Sequence, residues 1–155
     1  MTPARPSTAR YALLALFFLH GILFGTWATQ IPLAKLRLDV SLSTFGVALL
    51  CLACGAVVAM PVAGALVNKF GSARLTWITG LMFSLAVAGP SLAPALWMFV
   101  MTAVVLGASI GSMDVAMNAH GLLVERQMKK PVMSGFHGGF SVGAAAGTIA
   151  GAWLL

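Results

Sequence analysis

The chain has 155 residues, 60% of them hydrophobic and only 8% charged, and its mean hydropathy is +0.99. A soluble domain carries about 25% charged residues and leaves much of its surface in water, so these figures argue against a soluble enzyme, a disordered tail or a disulfide-stapled secreted module. The net charge of +6 would suit nucleic acid, but the nine Lys and Arg residues sit in short clusters between apolar runs and form no continuous basic face.

Five apolar runs follow a short N-terminal tail, residues 1–10, that holds Arg5 and Arg10. They cover residues 11–31, 45–67, 75–93, 96–124 and 134–155. Each is near or above the roughly 18 to 20 residues that cross hydrocarbon as a helix. In lipid the backbone must satisfy its own hydrogen bonds, so the runs predict helices, and no period-2 polarity suggests barrel strands. The fold class expected is an all-α integral membrane protein with five transmembrane helices. The first run ends at Pro32 and exceeds the roughly 7 to 15 apolar residues of a signal peptide, so it reads as a retained span. Seven Lys and Arg residues fall on the N-terminal side of the membrane and two, Lys35 and Arg37, on the other. This predicts a cytoplasmic N-terminus and puts the C-terminus on the opposite face. The chain stops inside an apolar run, Ala152-Trp153-Leu154-Leu155, and reads as the N-terminal piece of something longer.

Within the first run, Phe17, His20, Phe24, Trp27 and Ile31 share one helical face. That stripe is either plain packing or an aromatic wall for a ligand. Thr26, Thr29 and Gln30 could add polar contacts near its outer end. The second run carries Cys51 and Cys54 as a C-x-x-C with no second pair and no nearby His, which reads as packing. The fourth run is the most informative. At about 100° per residue, Gly107, Gly111, Asp114, Asn118, Gly121 and Glu125 fall within about 40° of one line. An acid deep in a membrane must face protein or water. Asp114 is therefore a protonatable or substrate-binding carboxylate, or an acid that only hydrogen-bonds a neighbouring helix. His120 lies on the opposite face, and His137 lies near the start of the fifth run; both read as structural or gating residues. The fifth run has Gly135, Gly139, Gly143, Gly147 and Gly151 at four-residue spacing, a pattern that lets membrane helices approach closely. The second run offers a partner stripe in Cys51, Gly55, Ala59 and Ala63, with Pro61 as a bend.

The loop from Gly64 to Leu75 reads GALVNKFGSARL. It resembles the major facilitator superfamily of transporters, whose loop between spans two and three runs G-x-L-x-D-R-x-G-R-R. Gly64, Leu66 and Gly71 match in place, and Lys69 stands for the Arg. Asn68 replaces the acid, Ser72 and Ala73 replace the basic pair, and Arg74 is the nearest cation. The resemblance extends to span layout and loop lengths over the whole chain. It implies two six-helix halves with a substrate site near the midplane, of which this chain would supply spans one to five of the first half. It also implies that Gly64, Leu66, Asn68, Lys69, Gly71 and Arg74 form a conformational-switch loop, although Asn68 has no charge for the family's electrostatic lock. Asp114-x-x-x-Asn118 is similar to the acid-x-x-x-Asn of the proton-coupled sugar permease branch (the fucose permease type), where the acid is implicated in proton coupling. That branch's acid in span one is missing here. The resemblance puts spans one and four around the central cavity. His20 lies roughly 15 Å from the cytoplasmic end, and Asp114 is at similar depth, so the two are expected to meet at the midplane.

The function expected is secondary active transport of a small solute by alternating access, as proton symport of a sugar-like or other small organic molecule. The candidate cavity residues are Asp114, Asn118, His20, Trp27 and Gln30. The alternatives are a non-transporting helix-packing module and a drug or metabolite exporter. The fifth run lacks the Gly-Pro motif of the superfamily's antiporters, which favours symport or uniport. An enzyme is not expected: Ser134-Gly135-Phe136-His137 is no protease nucleophile motif, the histidines do not pair on one face for haem, and a P-loop is absent. The expected partners are a small solute, protons, the lipid bilayer and the C-terminal half of the same transporter, with no cofactor, no metal and no nucleic acid. The expected location is the inner membrane of a bacterium.

Overall fold

A computed structural model describes residues 6–153 and is all-helical over them. The expectations on Arg5, the rest of the extreme N-terminus, Leu154 and Leu155 lie outside the described residues. Six helices follow in chain order: α1 (Pro6–Leu38), α2 (Leu42–Phe70), α3 (Ser72–Ala86), α4 (Ala88–Leu92), α5 (Leu96–Met128) and α6 (Met133–Trp153). Four stretches are long and apolar enough to cross a membrane, namely Ser7–Leu38, Leu42–Phe70, Ser72–Leu92 and Leu96–Met128. The fifth expected span is α6. Its 21 residues reach about 30 Å at 1.5 Å per residue, but its glycines and His137 make it less apolar than the others.

The helices outrun the apolar runs. α1 passes straight through Pro32 and ends at Leu38, where the sequence predicts a stop before the proline. A proline removes one backbone donor, and packing in a bundle can absorb that loss. Ser41 then caps α2 by accepting from the Thr44 amide at 3.1 Å. The third run is divided at Val87 into α3 and α4, with Gly89 and Pro90 in the second piece.

Large apolar side chains such as Leu36, Val58, Trp77, Leu85 and Trp97 point outward, as suits a lipid-facing surface. The core holds Leu13, Phe17, Phe83, Leu106, Met117 and Phe136. Lipid is as apolar as leucine, so close fit rather than water exclusion must bind these helices. Glycine supplies the fit along two seams. On α6, a Cβ at Gly143 or Gly147 would overlap the carbonyls of Phe18 or Ile22 on α1. Reciprocally, a Cβ at Gly21 or Gly25 on α1 would overlap the carbonyls of Phe140 or Ala144. Thr26 Oγ1 donates across this seam to the Gly147 carbonyl at 3.2 Å. In the second seam, Gly107 and Gly111 of α5 sit against the Leu52 and Ala56 carbonyls of α2, and Gly55 sits against Val104.

This corrects the expected pairing. The glycine face of α6 lies on α1, and the α2 stripe lies on α5. Gly135 has nothing within 4 Å of where its Cβ would be, so it belongs to neither seam. Gly139 rests on the Leu14 side chain.

Arg37 ties the far ends of α1 and α4 together. Its Nε donates to the Ala93 carbonyl at 3.0 Å, Nη1 to Ser91 at 2.5 Å and Nη2 to Pro90 at 3.0 Å. These are the open carbonyls at a helix C-terminus, where a cation is favoured. A residue read only as a loop charge is therefore a clamp.

Candidate functional site

His20 is brought inside because it lies on the inward stripe of α1, and it is 2% exposed. Its Nε2 lies 3.7 Å from Asp114 Oδ1 on α5. Its Nδ1 lies 3.1 Å from the Met113 sulfur. Phe83 of α3 and Phe140 of α6 flank the ring, with centroids 4.6 and 5.4 Å away. Four helices thus converge on one imidazole. The Asp114 side chain is 45% exposed.

The arrangement allows simple proton chemistry. With Nδ1–H directed at the thioether, the Nε2 lone pair faces the carboxyl. A proton can then sit on Asp114, or on His20 as an imidazolium beside a carboxylate. At 3.7 Å the contact is an ion-pair distance rather than a short hydrogen bond. A cavity of about 270 Å3 between α1 and α3, lined by Thr76, Trp77, Phe83 and Met113, reaches His20 from the other side.

The other expected cavity residues are placed differently. Asn118 is on the same face as Asp114, but its Nδ2 donates to the Asp114 main-chain carbonyl at 2.9 Å. Trp27 and Gln30 line a separate cavity of about 230 Å3 with Thr26, Val87 and Ser91. Trp27 is buried, and its ring faces Phe24 at 6.2 Å. The structure therefore does not bring Trp27 and Gln30 to Asp114. Thr29 donates to the Thr26 carbonyl at 2.7 Å, so the outer hydroxyls serve the helices themselves.

The loop from Gly64 to Arg74 narrows to a single residue. α2 runs to Phe70 and α3 starts at Ser72. Gly71 between them has φ +84° and donates its N–H to the Val67 carbonyl at 2.9 Å. That backbone region is open chiefly to glycine. Asn68, Lys69 and Arg74 are exposed around the turn, Leu66 is half-buried, and Gly64 has open space beside it. Ser72 Oγ lies 3.1 Å from His120 Nδ1 on α5.

The sequence profile of the Major Facilitator Superfamily matches residues 13–155. The chain belongs to the major facilitator superfamily. Among curated relatives, the uncharacterized transporter y4wD of Sinorhizobium fredii is 38% identical over 135 residues, 87% of this chain and 36% of that protein. An uncharacterized MFS-type transporter of Yersinia pestis is 36% identical over 141 residues, covering 89% of this chain and 37% of the relative. The membrane protein MosC of Rhizobium meliloti is 35% identical over 131 residues, covering 84% and 32%. The chain thus spans about a third of the length of these relatives. No solved structure matches it significantly. As an integral membrane member of the superfamily, the chain is aligned with transporters rather than enzymes.

Two polar contacts of this superfamily member were not anticipated from the sequence. Glu125, the last residue of the α5 stripe, accepts from the Val132 and Met133 amides at 2.7 and 2.9 Å. It caps the start of α6. The signal was available: an acid eight residues before a helix start, with Pro131 between. His120 bonds Ser72 because the face of α5 opposite Asp114 meets α3. The stripe itself is divided among neighbours. Gly107 and Gly111 meet α2, Asp114 meets α1, and Gly121 lies under Met133 and Phe136 near the start of α6.

Proposed function

We propose that this chain is part of a secondary active transporter that moves a small organic solute with protons by alternating access, and that Asp114 with His20 carries the coupling proton. The half-exposed Asp114 carboxyl 3.7 Å from a buried imidazole is the observation that supports it. Ionisable residues inside membrane spans are costly and mark proton and substrate paths. The relatives named as transporters support the same reading. Their greater length supports a second half that completes the cavity beside Asp114. We place the protein in a bacterial inner membrane, with its N-terminus and the α2–α3 and α5–α6 turns cytoplasmic. Gly71 and its exposed neighbours act as the switch loop, with Asn68 giving hydrogen bonds in place of charge.

The test is uptake across a panel of radiolabelled sugars, polyols and small organic acids, in cells expressing the full-length protein, with and without a proton gradient. At least one solute accumulates in a gradient-dependent way. Asp114→Asn, expressed at normal level, loses that dependence. Undiminished proton dependence in this variant overturns the assignment of the coupling site.

A further inference from the structure

We propose that His137 belongs to the same site and passes the proton between Asp114 and the water at the α5–α6 end of the bundle. This rests on the proton-coupled reading above and adds a second group to it.

The site is built in two layers one helical turn apart. The inner layer is His20 on α1, Asp114 on α5 and Phe140 on α6. One turn toward the α5–α6 end, each helix presents the next residue of the same face: Phe17 on α1, Asn118 on α5 and His137 on α6. The ring contacts establish the register. Phe140 lies 5.4 Å from His20 in the inner layer. His137 meets Phe17 edge-on at 5.5 Å in the outer layer. Phe17 in turn stacks on Phe136 at 5.5 Å, so the aromatic ring that positions His137 is itself held. The glycine seam keeps α1 and α6 in this register, since Leu14, Phe18 and Ile22 meet Gly139, Gly143 and Gly147 in order.

His137 has the properties a relay needs. It is exposed where His20 is buried, and it lies one helical turn from Phe140, which flanks His20. The titratable groups toward it are few. On α1 there are His20 one turn deeper and Arg10 two turns further out, whose guanidinium lies over the Tyr11 ring. On α5 there are Asp114 and Glu125, and Glu125 is engaged by two α6 amides. On α6 itself, Ser141 Oγ donates to the His137 main-chain carbonyl rather than to the imidazole. Arg126, Lys129 and Lys130 lie around the turn beyond, exposed. The step balances without a co-reactant. The Asp114 carboxyl gives its proton through intervening water to a neutral His137 nitrogen, and the other ring nitrogen releases a proton to bulk water.

The experiment uses the full-length protein in lipid vesicles. The infrared band of protonated Asp114 is assigned by its loss in Asp114→Asn, and its appearance is followed after a pH jump. His137→Gln slows its appearance about a hundredfold, the low end of what a positioned proton-transfer group supplies. Added imidazole restores the rate, which a packing defect would not allow. Wild-type kinetics in His137→Gln overturn this proposal alone. If His137→Gln does not fold, His137→Asn replaces it with the same expectations. If the wild-type band does not titrate at all, the proton-coupled reading and this proposal fail together.

Discussion

Glu125 and Arg37 act at opposite ends of the bundle in the same way, by satisfying backbone groups that a helix terminus leaves open. Glu125 accepts from two amides at the start of α6. Arg37 donates to three carbonyls around the end of α4. Arg37→Ala is expected to lower stability by about 1 kcal/mol, a charged hydrogen bond discounted for its exposure. Arg37→Lys recovers only part, because an ammonium lacks the planar fork. Thermal unfolding in detergent reads both. Glu125→Ala is expected to lower the unfolding temperature more than Glu125→Gln, whose amide oxygen can still accept; equal values would show that the cap is idle. Arg37 was legible in sequence only as a loop charge, and Glu125 only as the last residue of the α5 stripe with a proline shortly after it. What they bond is decided by a turn or a helix end that lies elsewhere in the chain.

At the scale of helices, the glycine seams decide who neighbours whom. A leucine at 143 or 147 would meet a main-chain carbonyl, which cannot rotate away as a side chain can. Gly143→Leu and Gly147→Leu are each expected to cost about 1 to 3 kcal/mol or more and to cut the yield of folded protein. Gly135→Leu is the control and should be tolerated, since its Cβ has open space. The comparison is made by fluorescence-detected size exclusion of each variant. The four-residue glycine spacing on α6 was legible, but its partner was not. Gly21 and Gly25 on α1 repeat the spacing, as do Gly107 and Gly111 on α5 and the small-residue stripe Cys51, Gly55, Ala59 and Ala63 on α2, so each of three helices had a face that could receive it. Spacing identifies a smooth face without naming what lies on it.

For the whole molecule, the charge distribution predicts the orientation in the membrane. In a background with Cys51→Ala and Cys54→Ala, Lys69→Cys and Lys130→Cys should react with an impermeant thiol reagent only from the cytoplasmic side. Ser43→Cys should react only from the outside. Reversed labelling in right-side-out and inverted vesicles would refute the proposed topology. Spans one to five are enough to assemble His20, Met113 and Asp114, because α1, α3, α5 and α6 all meet there.

Composition and periodicity alone determined the membrane class, the helical architecture and the presence of one acid inside an apolar run, while the family was legible only through the resemblance of the Gly64–Leu75 loop. These are local properties, written in runs of about 20 residues and a repeat of about 100°. The tertiary structure decided what each face meets. It put α6 on α1, divided the α5 stripe among three neighbours, and moved Trp27 and Gln30 away from Asp114. A helix repeats its own faces at fixed angles, but where another helix crosses it depends on both surfaces at once. That is why an acid and a histidine could be picked out in sequence, while the 3.7 Å between them is a property of the packed bundle.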